Sequence, residues 1–542
     1  MVYPLKPHPS LVKPKGPVVL CILDGIGLGQ GGEDDAVATA HTPNLDRYLA
    51  TCPWTPLAAH GTAVGLPSEK DMGNSEVGHN AFGAGRVFDQ GAKLVEQALN
   101  SGAAFETDVW KALIERPTLH LLGLLSDGNV HSHIDHLYLL IARAAADGVK
   151  RLRVHALTDG RDVGARTALT YFGPLEQVLQ QHRDAGRDYR LASGGGRMHI
   201  TLDRYEADWP MVQRGWQCHV HGVGRPFPSA VQAIETLYAE DPEVDDQWLP
   251  AFVLEEDGQP VGKIQDHDAV LLFNFRGDRA IEISEAFTEE DFQGFPQPEK
   301  PQNLLFAGMT QYDGDTQTPE KFLVNPPAIS ETVGEYLIQS RLRTFAVSET
   351  QKFGHVTFFF NGNRSGYLDD TYEQYLEIPS DNLPFNQKPE MKAREIADAA
   401  IGAIQGDFDH VRLNLANGDM VGHTGHLQAA RTAVEVVDTQ LARIERAVRD
   451  SEGLLIITAD HGNADEMFLR KGSTILRDAS GQPLRRTSHT LNPVPFILVD
   501  PTGKRDVLRT PESSIASVGT SILSLCGLAS PTDYRPGLVR TR

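Results

Sequence analysis

Cysteine is scarce in this chain. Only Cys21, Cys52, Cys218 and Cys526 occur in 542 residues, and none are spaced as C-x-x-C. That fits a reducing cytosol better than a disulfide framework. Long apolar runs are missing too. The best, "AVLLFNF" and "GLLIIT", fall far short of the roughly 20 residues a spanning helix needs. The opening "MVYPLKPHPSLVKPKGP" has no apolar core, so it does not read as a secretory signal. A soluble, cytoplasmic protein is expected. Positive charge is also in short supply, with 50 Lys and Arg against 72 Asp and Glu and a net charge of -22. Nucleic acid and membrane surfaces are polyanions, so neither is an expected partner. A small anion held by a local group of arginines remains compatible with that balance.

What is present is an ordinary globular composition, 40% hydrophobic and 23% charged, in a chain too long for one compact core. Short apolar runs end in polar residues or glycine, as in "PVVLCILDG", "RLRVHALTDGRD", "AVLLFNFRGDRA", "DHVRLNLANGD" and "GLLIITADHGN". Stretches with helical spacing, such as "RTAVEVVDTQLARIERAVRD", lie between them. The alternation predicts an α/β protein with mostly parallel sheets, whose ligands gather at the carboxyl ends of strands. Candidate linkers lie near Phe88 to Gln90 and near Val324 to Pro327. Two hinges there would make the middle third an insertion within a domain built from both chain ends.

The stretch "DMGNSEVGHNAFGAGR" sets Ser75 among small polar residues, and it reads as an exposed nucleophile on a glycine-rich turn. No Gly-x-Ser-x-Gly elbow surrounds it. Its activation is expected to come from elsewhere. Asp24 follows a buried run, and Asp460 and His461 follow another in "TADHGN". "NGDMVGHTGH" sets Asp419 and His423 four residues apart, within reach of one site on a helical turn, and "RTSHTLNPVP" supplies His489. Singly, each is better explained as a cap, a turn former or a core histidine. Together they are three Asp and three His without a thiolate, a set suited to zinc, manganese or similar ions and too rich for one tetrahedral site. Two ions are the simpler reading, with the Ser75 hydroxyl activated by metal rather than by histidine.

The middle third carries arginines beside glycines at strand ends. These are Arg161 next to Asp162 in "TDGRDVGART", Arg197 and Arg204 in "GGGRMHITLDRYEADW", and Arg276 and Arg279 in "NFRGDRA". "SDGNVHSHIDH" adds His131, with His133 and His136 nearby, and "SETQKFGH" adds Lys352. Guanidinium groups bind phosphate or carboxylate in bidentate fashion. The bland reading is surface salt bridging with Asp162, Asp203 and Asp278.

"LDGIG", "MGNSEVGHNAFGAGR", "SDGNVHSHIDH", "TDGRDV", "NFRGDRA", "NGDMVGHTG", "TADHGNAD" and "SHTLNPVP" occur here in one order. In that order they resemble the cofactor-independent phosphoglycerate mutases over nearly the whole chain, in the longer, plant-type form. The resemblance implies an alkaline-phosphatase-like α/β/α domain, residues 1–88 and 326–542, with an α/β phosphotransferase domain, residues 89–325, inserted between. It implies two divalent ions, Mn²⁺ foremost with Co²⁺, Zn²⁺ or Mg²⁺ as alternatives, a transient phosphoserine, no bisphosphoglycerate, and a monomer acting on phosphoglycerate. Asp24, Ser75, Asp460 and His461 would hold one ion, and Asp419, His423 and His489 the other. His131, Arg161, Asp162, Arg197, Arg204, Arg276, Arg279 and Lys352 match substrate contacts, with Asp162 the expected general acid or base. Asn129 and His199 depart from the family pattern, which commonly has glycine and tyrosine there. Rival readings are a phosphatase or phosphopentomutase of the same superfamily, and a non-catalytic binder of phosphorylated metabolites.

Overall fold

A computed structural model describes residues 3–204, 207–313, 316–325, 329–478, 480–510 and 513–542. The chain divides into two compact units, Met1–Gln90 with Ala328–Arg542, and Gly91–Pro327. Of the expected linker Val324 to Pro327, Pro326 and Pro327 lie outside the described residues.

The first unit is built from both ends of the chain around a seven-stranded sheet. Its strand order is Glu373–Ile378, Thr344–Glu349, His410–Leu415, Val18–Leu23, Leu454–Thr458, Val494–Val499, Trp54–Leu57. The first five run parallel, and Val494–Val499 is antiparallel to both its neighbours. "VVLCIL" is apolar throughout because both faces of its strand are covered. Val19, Cys21 and Leu23 join one core, and Val18, Leu20 and Ile22 join the other. The helix Leu427–Asp450 packs its buried residues Val434, Val437, Leu441 and Ile444 into the first core.

The second unit has a longer sheet, ordered Phe322–Val324, Leu305–Thr310, Ala269–Leu272, Leu119–Leu124, Arg151–Thr158, Asp188–Gly196, Phe252–Glu256, Arg225–Phe227. It is parallel except where Phe252–Glu256 meets Asp188–Gly196 and the short ninth strand Gln259–Pro260. The expected α/β class with mostly parallel sheets is therefore borne out in both units. Among the described residues, no helix is long and apolar enough to cross a membrane.

Candidate active site

Three adjacent parallel strands of the first unit deliver its acidic groups. Leu23 pairs with Leu415, and Ile22 with Thr458, so the chain leaves all three strands at one level. Asp24, Asp419 and Asp460 follow those exits. Gly25 has φ 72, and a Cβ on it would stand 2.6 Å from the Asp419 Cα. Only glycine allows that turn and that approach together. The short helix Asn417–Gly422 carries the chain to His423, so Asp419 and His423 face the same side, as their four-residue spacing predicts. Lys352 sits on the helix Thr350–Gly354, just past the neighbouring strand.

Ser75 differs from the expectation of an exposed turn. It opens the helix Ser75–Ala84, which Asn74 caps by accepting from the Val77 amide, and only 3% of its surface is accessible. The glycines of the motif serve close packing instead. A Cβ on Gly78 would come within 2.5 Å of the Asp460 Cβ. The helix N-terminus places a partial positive charge beside the Ser75 hydroxyl, which favours an anion there.

The metal-type side chains converge as two buried groups, Asp24 with Asp460 and His461, and Asp419 with His423 and His489. Ser75 Oγ lies 3.0 Å from His461 Nε2, on the first group. Lys352 Nζ donates to Ser75 Oγ, to Asp24 Oδ1 at 3.0 Å and to Asp419 Oδ2 at 2.7 Å, so it touches both groups. His461 Nδ1 faces the Gly462 carbonyl, which directs the ring's Nε2 lone pair toward Ser75. Burial and the Asp24 carboxylate push Asp460 well above the usual carboxylate range. Burial alone would raise Asp24 as well, but Lys352, His461 and His79 together outweigh it and bring Asp24 down. Asp419 is held well below its ordinary range against burial, chiefly by His423 and Lys352. The buried Asp460 Oδ2 has no hydrogen-bond donor among the described residues. Packed carboxylates, imidazole lone pairs and an orphaned carboxylate oxygen fit a bound cation at each group.

In the second unit the arginines also come together, and they are buried. Arg197 is wholly inaccessible, while Arg161, Arg204, Arg276 and Arg279 are each 8% exposed or less. Ion pairing with Asp162 and Asp278 occurs, but in the interior rather than on the surface. Arg197 Nη1 donates to Asp159 Oδ1 at 2.7 Å and to Asp162. Arg276 Nε and Arg204 Nη1 stand 3.1 and 3.3 Å from the two Asp278 oxygens. Arg279 Nη1 donates to the Leu202 carbonyl at 2.6 Å. Burial and the neighbouring Arg204, Arg161 and Arg197 hold Arg279 well below the usual arginine range. Burial and the guanidiniums of Arg197, Arg276, Arg279 and Arg161 likewise keep His131 neutral. Among the described residues, five guanidiniums gather around the paired carboxylates Asp159, Asp162 and Asp278, a buried place suited to an anion.

His133 instead caps the helix Ile134–Ala146, accepting from the Asp135 amide, and His136 packs edge-on against Phe275. Asn129 has φ 56, a left-handed conformation that asparagine tolerates and glycine adopts freely. His199 is half-buried, and its carbonyl accepts from Arg214.

Several contributors went unread in the sequence. His79 Nδ1 donates to the Ser75 carbonyl at 2.8 Å, and Asn414 Nδ2 donates to Asp24 Oδ2 at 2.6 Å while facing His79 Nε2 at 3.2 Å. Asn463 Nδ2 donates to Asp419 Oδ1 at 2.8 Å. The one available signal was polarity inside an apolar run, as for Asn414 in "VRLNLAN".

Residues 16–530 match the Metalloenzyme superfamily. The chain is 51% identical to a probable 2,3-bisphosphoglycerate-independent phosphoglycerate mutase of Leptospira interrogans, over 96% of this chain and 97% of that one. It is 50% identical to the 2,3-bisphosphoglycerate-independent phosphoglycerate mutase of Trypanosoma brucei brucei, over 99% and 100%, and 48% identical to one from Arabidopsis thaliana, over 99% and 98%. A crystal structure of Leishmania mexicana phosphoglycerate mutase at low cobalt concentration superposes with a TM-score of 0.97 at 46% identity, covering 99% of this chain and 100% of that one. The chain therefore belongs to the 2,3-bisphosphoglycerate-independent phosphoglycerate mutases, within the Metalloenzyme superfamily.

Proposed function

We propose that the protein interconverts 3-phosphoglycerate and 2-phosphoglycerate without bisphosphoglycerate, through a phosphoserine at Ser75. The observation that carries this is a buried serine at a helix N-terminus, with His461 Nε2 at 3.0 Å and Lys352 Nζ in hydrogen-bond contact, beside two carboxylate–imidazole groups. Asp24, Ser75, Asp460 and His461 would hold one divalent ion, and Asp419, His423 and His489 a second, with Mn²⁺ our choice of metal. Bound there, the metal supplies positive charge that favours the serine alkoxide and neutralises phosphoryl oxygens.

The Ser75 hydroxyl gives up its proton as its oxygen attacks phosphorus, the P–O bond to glycerate breaks, and the departing glycerate oxygen takes up a proton. Lys352 stabilises the charge on the transferring oxygens. The reoriented glycerate then attacks phosphoserine through its other hydroxyl. Asp162 is the group we assign to proton exchange with the glycerate hydroxyls. Arg161, Arg197, Arg204, Arg276, Arg279 and His131 hold the carboxylate and phosphate and keep the glycerate from leaving between the two transfers. In this reading residues 1–88 and 326–542 perform phosphoryl transfer, residues 89–325 hold substrate, and the enzyme works as a cytoplasmic monomer.

The test is conversion of 3-phosphoglycerate by metal-stripped protein, before and after adding manganese, with no bisphosphoglycerate. We expect 2-phosphoglycerate only after metal is restored, and a loss of roughly 10³-fold or more in a Ser75→Ala variant that still folds. Inorganic phosphate as the main product would make the protein a phosphatase. Appreciable mutase activity in the alanine variant would rule out the phosphoserine route.

A further inference from the structure

A chain of buried polar side chains runs through the second unit, between its sheet and the helix Trp209–His221. His120 Nε2 faces Asp268 Oδ2 at 3.2 Å, and His120 Nδ1 faces His155 Nε2 at 2.9 Å. His155 Nδ1 meets Ser193 Oγ at 2.7 Å, Ser193 Oγ meets His219 Nδ1 at 2.8 Å, and His219 Nε2 meets Thr201 Oγ1 at 2.9 Å. All six residues are buried. The bulge between Val154 and His155 makes the run continuous, because it registers Ser193 opposite His155.

One proton assignment satisfies every link. The Asp268 carboxylate only accepts, so His120 donates from Nε2 and accepts at Nδ1. His155 then donates from Nε2 and accepts the Ser193 hydroxyl proton at Nδ1. His219 donates from Nδ1 to the serine oxygen, which leaves its Nε2 as an acceptor for the Thr201 hydroxyl. Burial keeps these imidazoles neutral, as the assignment requires.

The chain ends at a strained residue. Thr201 has φ 74, a conformation that costs a β-branched side chain energy and that persists only when its surroundings impose it. The Thr201 amide donates to the Met211 carbonyl at 3.1 Å, and Gly215 lets the helix approach, since a Cβ there would stand 2.2 Å from Thr201 Oγ1. The next residues meet the arginines directly. The Leu202 carbonyl accepts from Arg279 at 2.6 Å, and Arg204 pairs with Asp278 at 3.3 Å.

We propose that Thr201, held at positive φ by its hydroxyl bond to His219 and through it by the tautomer chain anchored on Asp268, is a positioning residue that sets Arg204 and Arg279 for the substrate anion. This rests on the proposed phosphoglycerate mutase reading. The test compares Thr201→Val, Thr201→Gly and Thr201→Ser in the manganese-loaded enzyme. KM and kcat are measured for 3-phosphoglycerate, with its Kd by calorimetry. Glycine adopts φ 74 freely, so it keeps the comparison alive if the valine variant folds poorly. Valine and glycine are expected to raise KM and Kd about tenfold, the loss of one buried hydrogen bond, with kcat within about twofold. Serine, which retains the hydroxyl, is expected to match wild type. ¹⁵N shifts of the imidazoles are expected to place the His219 proton on Nδ1. Unchanged Kd in the glycine variant, a serine variant as impaired as glycine, or a His219 proton on Nε2 would each overturn the proposal. Wild-type protein that binds 3-phosphoglycerate without converting it would defeat the mutase reading alone, because the order of Kd values still decides this one.

Discussion

His423 and His489 face each other through their Nε2 atoms, 3.1 Å apart. His423 Nδ1 is committed to the Thr487 carbonyl, so Nε2 is the nitrogen turned toward Asp419 and His489. Asp419 Oδ1 stands 3.0 Å from that nitrogen and 3.2 Å from His489 Nε2. Two imidazoles and a carboxylate converging on one point call for a shared positive charge.

Removing one of these donors is expected to empty one metal group and leave the other. A His489→Ala variant reloaded with manganese should lose one ion per chain by elemental analysis, and its mutase activity should fall by more than about 100-fold. An unchanged metal content would refute the assignment of His489 as a ligand.

Asn414 orients Asp24 from behind, so its effect should appear in affinity. Asn414→Leu removes the donor to Asp24 Oδ2 and the partner of His79 Nε2. The manganese concentration for half-maximal activity is expected to rise about 10–100-fold, with most activity recovered at saturating metal. A metal titration that overlays wild type would show that the amide is dispensable.

Asp278 counters the buried arginines, with Arg276 and Arg204 at 3.1 and 3.3 Å from its two oxygens. Burial alone would raise its carboxyl, but Arg276, Arg204, Arg279 and Arg197 outweigh that and bring it down. Asp278→Asn leaves those cations less balanced and should cost about 3–5 kcal/mol. Phosphate at 100 times its Kd should restore about 2.7 kcal/mol. Thermal unfolding with and without phosphate checks this, and a variant as stable as wild type in phosphate-free buffer would contradict it.

Asp188 predicts an acid-dependent loss of stability. Burial works to raise its pKa, yet hydrogen bonds from Arg153 and Arg190, both at 2.8 Å, bring it down to about 2 from the ordinary 3.8. A carboxylate depressed in the folded state stabilises above its unfolded pKa, and that contribution is lost as pH falls toward 2. Urea unfolding should therefore show Asp188→Asn weaker than wild type at pH 5, with the gap closing between about pH 4 and 2. A gap independent of pH would mean that packing, and not the charge, carries the effect.

Much of this site was legible because its residues announce themselves locally. Asp24 and Asp460 each follow an apolar strand at a turn, and the four-residue spacing of Asp419 and His423 is a helical repeat. Arg161, Arg197 and Arg276 adjoin glycines just past strand ends, which is equally local information. The α/β alternation was equally readable, since strand and helix periods are properties of neighbouring residues.

Other features depended on partners far away in the chain. Ser75 is buried because the strand exits and Lys352 close over it, which no residue near position 75 records. Asn414 reads as an interruption of an apolar strand until Asp24, 390 residues away, is placed against its amide. The bulge that sets Ser193 opposite His155, and hence the tautomer chain to Thr201, comes from pairing between two strands. The sequence by itself determined the strand–turn units and the chemistry each one carries. Tertiary structure alone decided which units meet, because strand order and register are set by packing over the whole sheet rather than by any local pattern.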